Sequence, residues 1–152
     1  DRVADVVIAH GDFNHGYTYS GHPVACAVAL ANLRILQEEG IVERIRIEIG
    51  PYLQKRWQEL GEHPLVGEVR GVGFVGALEL VADKSRRCFF PDRGRVGLIC
   101  RDHCFRNGLV MRAVKDTMII SPPLILTHAH VDELISKAQR SLDLTARDLR
   151  CE

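Results

Sequence analysis

The chain has 152 residues, of which 46% are hydrophobic and 26% charged, and its 20 lysines and arginines equal its 20 aspartates and glutamates. This composition is typical of a soluble globular protein. The zero net charge excludes a general attraction to nucleic acid or to an anionic membrane, so any anion site must be local. No apolar run approaches the roughly 18 residues that a membrane span needs.

The cysteines indicate the cellular compartment, and the first residues indicate whether the chain is part of a longer protein. Five cysteines without CxxC spacing favour a reducing compartment over a disulfide scaffold, so we expect a cytoplasmic protein. The opening Asp1-Arg2-Val3 is neither a signal peptide nor an initiator. We therefore expect the chain to be part of a longer protein.

The first 40 residues contain a loop and a long helix. Residues 6–9 are a short apolar run, either a buried strand or the lead-in to the loop. A helix is predicted from Pro23 to about residue 37, and Gly40 ends it. Because this helix is apolar nearly all round, it must be covered on most sides. We expect it to pack on a part of the protein outside this chain or on a second subunit.

The rest of the chain alternates between helices and short strands. A helix with apolar residues about every four positions runs from 41 to 60, and Gly50-Pro51 predicts a kink or restart. Two strands in 66–81 meet at glycines 71–73, and a charged loop follows from Asp83 to Arg95. A second helix is predicted at 96–107.

The last third repeats the strand-and-helix pattern. Strands at 109–112 and 118–120 flank a turn at Lys115-Asp116, and Ser121-Pro122-Pro123 stops the sheet. Thr127 caps the last helix, whose polar tail from residue 145 is expected to fray. The order predicts an α+β fold, an antiparallel sheet of about four strands with helices on one face. We assign residues 1–40 and 41–152 to separate domains.

One stretch has the features of a phosphate site. Residues 15–23, HGYTYSGHP, combine two glycines, four hydroxyl side chains and a proline where a helix begins. Glycines let a backbone approach a ligand, and a helix N-terminus offers free N–H groups and partial positive charge. By spacing alone, a simple turn with a helix cap explains the same residues.

The whole string, with EVRGVG at 68–73 and LVMR at 109–112 followed by SPP at 121–123, resembles class III aminotransferases. These are pyridoxal-phosphate enzymes of fold type I, and the resemblance covers nearly the whole chain. It implies that residues 41–152 form the C-terminal small domain and that residues 1–40 end the large cofactor-binding domain with a linking helix. It also implies a homodimer.

The resemblance assigns roles to three residues. Thr18 matches the threonine whose hydroxyl and backbone N–H bind the cofactor phosphate held by the other subunit, and Tyr17 matches the aromatic residue beside it. Arg112 matches the arginine that binds a substrate carboxylate and swings aside for donors without one. Two alternatives remain: a Thr18 hydroxyl bonded to its own backbone, and a structural salt bridge from Arg112 to Asp116.

The family's Schiff-base lysine precedes the HGYTYSGHP segment by more residues than this chain has. The chain's own lysines lie in charged turns or on the polar sides of helices, where they lack the desolvated surroundings of a catalytic lysine. We therefore expect a C-terminal fragment without a catalytic residue of its own, inactive alone. The alternatives are a non-catalytic phosphate- or carboxylate-binding module and a dimerisation module.

The expected reaction moves an amino group from an amine to pyruvate. Residues 51–57 and 100–123 look most like bacterial enzymes that act on putrescine or other polyamines, while β-alanine, aromatic amines and 4-aminobutyrate stay open as donors.

Several polar residues are expected to have structural roles only. His15 and His22 flank the phosphate loop without a catalytic role, and Cys100 and Cys104 belong to the core. His128, His130 and Asp132 form no metal site, since the two histidines point about 200° apart on a helix. His130 and Lys115 replace the glutamate and the glycine common in relatives, which predicts a weaker helix cap and leaves the turn type open.

Overall fold

The structure is a computed structural model, and it describes residues 2–12 and 16–150. The chain divides into two compact units, Asp1–Glu39 and Gly40–Glu152. In the described ranges, no helix is long and apolar enough to cross a membrane.

The first unit contains two helices, α1 (Arg2–Ala9) and α2 (Pro23–Glu38). The strand alternative for residues 6–9 is wrong, because they continue a helix in which Val3, Val6 and Val7 have the i, i+3, i+4 spacing of one helical face. The predicted α2 is confirmed. Pro23 occupies its first turn, and the Ala25 N–H donates to His22 Nδ1 at 3.4 Å, so the His22 side chain caps the helix.

Apolar side chains of α1 and α2 are exposed, and no residue of either helix is buried. The large exposed ones are Val3, Val6, Val7, Ile8, Val24, Val28, Leu30, Leu33 and Ile35. Exposed apolar area of this extent is unusual for a surface that faces water. That a further segment or a second subunit covers these helices stays a prediction.

The second unit begins with a continuous run of helical turns. It comprises α3 (Ile41–Arg44), a π-helical stretch (Ile45–Ile49), α4 (Gly50–Glu59) and a 3-10 turn (Leu60–Glu62). The irregularity predicted at Gly50-Pro51 therefore takes the form of a π turn, in which the Gly50 N–H donates to Ile45 O five residues back. The wider turn relieves the clash that a proline ring makes with the preceding turn.

A four-stranded antiparallel sheet forms the second layer. Its strands are β1 (Val66–Val72), β2 (Val75–Leu80), β3 (Arg112–Val114) and β4 (Thr117–Ile120), in the spatial order β1-β2-β4-β3. The hairpin turn at 115–116 is as predicted. The first hairpin turns at 73–74, at the end of the predicted range 71–73, and β3 starts only at Arg112, three residues later than expected.

Helices cover one face of this sheet, as predicted. They are α4, α5 (Arg95–Arg106) and α6 (His128–Arg150). Alternation places Leu78, Met118 and Ile120 in the core with side chains from these helices, such as Trp57 and Leu142. The predicted core role of Cys100 and Cys104 is confirmed. A hydrogen bond with Cys104, together with burial, raises the pKa of the Cys100 thiol.

Two expectations about α6 are wrong. The helix does not fray at residue 145 but continues to Arg150, because Thr145 is fully buried and its hydroxyl donates to Ser141 O at 2.7 Å. His130 does not weaken the cap. The His130 N–H donates to Thr127 Oγ1 at 3.3 Å, and the Thr127 N–H donates back to His130 Nδ1 at 3.2 Å. The imidazole thus takes the part of the usual glutamate in a reciprocal cap.

The β3–β4 turn holds Lys115 in the left-handed region, with φ 53°. This conformation costs a residue with a Cβ roughly 1–2 kcal/mol. Glycine would remove this strain, but it also raises the conformational entropy of the unfolded chain, which offsets part of the gain in stability. Lys115→Gly is therefore expected to raise the free energy of unfolding by up to about 1 kcal/mol. Denaturant titration measures the change, and Lys115→Ala is the matched control because it keeps the Cβ. Equal stability of the two variants would contradict this explanation.

Candidate functional site

The predicted phosphate segment forms exposed turns just before α2. The Ser20 N–H donates to Tyr17 O at 2.9 Å, and the His22 N–H donates to Tyr19 O at 3.2 Å. Gly21 has φ 78°, a left-handed conformation that glycine adopts without strain. His15 lies outside the described residues. The segment therefore presents hydroxyl side chains to solvent beside a helix N-terminus.

The Thr18 hydroxyl has the exposure that a cofactor ligand needs. Thr18 is exposed, and in the described part of the chain no residue forms a hydrogen bond with its side chain. The alternative of a hydroxyl bonded to its own turn is therefore not what this structure shows. Tyr17 beside it is 77% exposed. Both side chains are therefore accessible from outside this unit.

Arg112 lies at the start of β3, on the sheet face that the helices leave uncovered. Cross-strand pairing aligns one row of side chains on that face: Arg70, Ala77, Ile119 and Arg112. Residues directly opposite in paired strands point to the same side of a sheet. Arg112 is exposed. Across residues 2–12 and 16–150, no carboxylate forms a salt bridge with it.

The alternative of an Arg112–Asp116 salt bridge is wrong. Asp116 is fully buried, and its carboxylate accepts the N–H groups of Gly94 at 2.9 Å and Gly97 at 3.0 Å. Its cationic neighbour is Arg93, with Nε 3.6 Å from Oδ2. Because Asp116 already has these partners, the Arg112 guanidinium remains available to an anion from outside.

Asp116 and Gly97 are important residues that sequence reasoning missed. Asp116 joins the β3–β4 turn to the first turn of α5 and so fixes the hairpin that carries Arg112. A Cβ at Gly97 would lie 2.0 Å from Lys115 O, so only glycine permits this close approach. The signal available in the sequence was the Gly94–Gly97 spacing, which spans the boundary between the predicted loop and the helix predicted from residue 96.

The resemblance to putrescine enzymes rests partly on residues 51–57. These residues lie in α4, and their side chains connect this helix to α6. Asp132 Oδ1 accepts from the Tyr52 hydroxyl at 2.7 Å and from Arg56 Nε at 3.0 Å. The bond with Asp132 raises the pKa of Tyr52, and the bond from Tyr52 lowers the pKa of Asp132. This segment therefore acts in packing between helices and does not place a side chain beside Arg112.

Comparison with known proteins gives consistent results. The sequence model of the aminotransferase class-III family matches residues 2–142. The chain is 62% identical over 146 residues to the putrescine–pyruvate aminotransferase of Pseudomonas aeruginosa. It is 38% identical over 158 residues to the mitochondrial gamma aminobutyrate transaminase 1 of Solanum lycopersicum. These alignments cover 96% and 99% of this chain but 32% and 30% of the relatives.

Solved structures give the same picture. A transaminase described with L-alanine has a TM-score of 0.83 and 40% identity, covering 97% of this chain and 34% of that one. The omega transaminase from Pseudomonas jessenii in complex with PMP has a TM-score of 0.82 and 39% identity, covering 95% of this chain and 32% of that one. The fold prediction, a portion of a fold type I transaminase, is confirmed. The chain spans about a third of the length of these proteins.

Proposed function

We propose that this chain, which belongs to the class III aminotransferase family, is the C-terminal portion of an enzyme that transfers an amino group from putrescine or a similar amine to pyruvate. The family consists of pyridoxal-phosphate enzymes. The observation that carries the proposal is the 62% identity to the putrescine–pyruvate enzyme over 96% of this chain. At the level of single residues, support comes from the exposed Thr18 and from Arg112, which has no carboxylate partner among the described residues.

The exposed turn before α2 would hold the phosphate of the cofactor. The Thr18 hydroxyl would donate to a phosphate oxygen, and the N-terminus of α2 would add partial positive charge nearby. Because the first unit buries none of the described side chains of α1 and α2, a second subunit can approach this surface. We infer a homodimer in which each chain contacts the cofactor of its partner.

Arg112 would bind the carboxylate of the amino acceptor. Its planar guanidinium can donate two parallel hydrogen bonds to two oxygens, which a lysine cannot do. The uncovered sheet face leaves the side chain room to turn away when a diamine without a carboxylate enters. One pocket would then accept both substrates.

The bound cofactor supplies the electron sink for amino transfer. This chain's lysines do not fit the role of the base that moves the proton. Lys137 Nζ lies 2.6 Å from Glu133 and also donates to Gly108 O, and Lys84 donates to Gly61 O. Lys55 and Lys115 are exposed, so neither lies in the desolvated surroundings that a catalytic lysine needs. We infer that the lysine comes from another segment of the protein.

Thr18→Ala in the complete enzyme is expected to weaken retention of pyridoxal phosphate roughly 10- to 100-fold. A hydrogen bond to a charged group contributes about 1.5–3 kcal/mol, and each tenfold change in affinity corresponds to about 1.4 kcal/mol. Equilibrium dialysis with the cofactor absorbance as readout gives the affinity.

Thr18→Ser is the matched control, because serine keeps the hydroxyl and should retain the cofactor. Cofactor affinity that is equal in the alanine variant and in the unchanged enzyme would refute the role of Thr18. A protein that binds phosphate compounds reversibly, without any amino transfer, would favour the non-catalytic module instead.

A further inference from the structure

Arg93, in the loop between β2 and α5, lies between two carboxylates that belong to different parts of the sheet. Its Nε is 3.6 Å from Asp116 Oδ2, and its Nη2 is 3.5 Å from Glu79 Oε1. The guanidinium carbon also lies 3.9 Å from the centre of the Phe89 ring. A planar cation held by two anions and an aromatic ring has little freedom to move.

Asp116, one of the two carboxylates beside Arg93, fixes the β3–β4 turn. Its carboxylate is fully buried and accepts two N–H groups from the start of α5. Its backbone carbonyl accepts the Leu80 N–H at 2.9 Å, which attaches the turn to the end of β2. A buried carboxylate needs a cation as well as hydrogen bonds, and in the described chain Arg93 is the cation within salt-bridge distance.

Glu79, the other carboxylate beside Arg93, joins three strands on the uncovered face. It accepts from the Thr117 hydroxyl at 2.6 Å, and Arg70 Nη2 lies 3.4 Å from the same carboxylate. Glu79 pairs directly with Thr117 across the strands. This row is adjacent to the row of Ala77, Ile119 and Arg112. Arg93 therefore connects the turn to the face on which Arg112 lies.

We propose that Arg93 is a positioning residue for Arg112, acting through Asp116 and the β3–β4 turn. The inference rests on the proposed carboxylate-binding role of Arg112. A two-residue turn fixes the pairing of Val114 with Thr117 and hence that of Arg112 with Ile119. Loss of Arg93 leaves Asp116 without its cation, so the turn shifts and the Arg112 guanidinium moves away from the substrate carboxylate.

The test measures steady-state kinetics of the complete enzyme with pyruvate and putrescine. Arg93→Ala is expected to raise the KM for pyruvate on the order of tenfold and to change the KM for putrescine much less, because only pyruvate presents a carboxylate. Arg93→Lys, which keeps the charge, should have a KM for pyruvate close to that of the unchanged enzyme. Arg86→Ala is the matched control, since Arg86 belongs to the same loop and its side chain is 81% exposed.

A double-mutant cycle separates positioning from general stability. Once Arg112 is alanine, adding Arg93→Ala should have no further effect on pyruvate, because the two residues act on one contact. Additive losses, or equal losses for both substrates, would overturn the positioning role of Arg93. If Arg112→Ala alone left the pyruvate kinetics unchanged, the proposed carboxylate-binding role of Arg112 would be refuted. This result separates failure of that role from failure of the positioning role of Arg93.

Discussion

Arg112→Ala is expected to lower kcat/KM for pyruvate roughly 10- to 100-fold in the complete enzyme. The change removes a charge-assisted contact worth about 1.5–3 kcal/mol, and about 1.4 kcal/mol corresponds to a factor of ten. The side chain is exposed on the uncovered sheet face, so its removal leaves the core intact. Putrescine carries no carboxylate, and its half-reaction should change little. Single-turnover measurement of each half-reaction gives the two effects separately.

Two further variants sharpen this result. Arg112→Lys keeps the charge but not the two-pronged geometry, so it should recover only part of the pyruvate rate. Arg106→Ala removes another exposed arginine, on α5, and should leave both half-reactions unchanged. An equal loss for pyruvate and for putrescine in Arg112→Ala would rule out a contact specific to the carboxylate.

Asp116→Ala is expected to lower the free energy of unfolding by on the order of 3 kcal/mol. The carboxylate accepts the N–H groups of Gly94 and Gly97, and each buried N–H left without a partner costs about 1–3 kcal/mol. The link between the β3–β4 turn and α5 is lost with them. Denaturant titration measures the global effect, and hydrogen exchange should show faster exchange at these two amides.

Asp116→Asn is the control for this prediction. It keeps one acceptor oxygen and similar volume, so it should lose less stability than the alanine variant. If Asp116→Ala unfolds at the same denaturant concentration as the unchanged protein, with the same dependence on denaturant, the carboxylate does not anchor the turn.

Local patterns in the sequence were sufficient for most of the fold. The apolar spacing of residues 131–142 and the glycines near residue 73 predicted α6 and the first hairpin, because period and turn chemistry act over a few residues. The length of α6 was not predictable in this way. Thr145 is polar in sequence, but it lies fully buried with its hydroxyl bonded to Ser141 O, so tertiary packing extends the helix.

The residues of the candidate site also fall into those that the sequence predicted and those that depend on tertiary packing. Tyr17, Thr18 and Arg112 could be named from motifs, because a motif preserves residue types at fixed spacing. The partners of Asp116 could not, since Gly94 and Gly97 are about 20 residues away in the chain and meet it only through the packing of α5 on the hairpin. The alternative of an Arg112–Asp116 salt bridge is wrong for this reason: the two residues are close in sequence, but the Asp116 carboxylate is bonded to the start of α5 and faces Arg93.

The most direct test follows the cofactor absorbance of the complete enzyme loaded with pyridoxal phosphate. If the chain belongs to an amine:pyruvate aminotransferase as proposed, putrescine alone changes the spectrum and pyruvate alone then restores it, with alanine formed in equal amount to the cofactor converted. A complete enzyme that retains the cofactor but shows no spectral change with putrescine, β-alanine or 4-aminobutyrate would contradict the proposal.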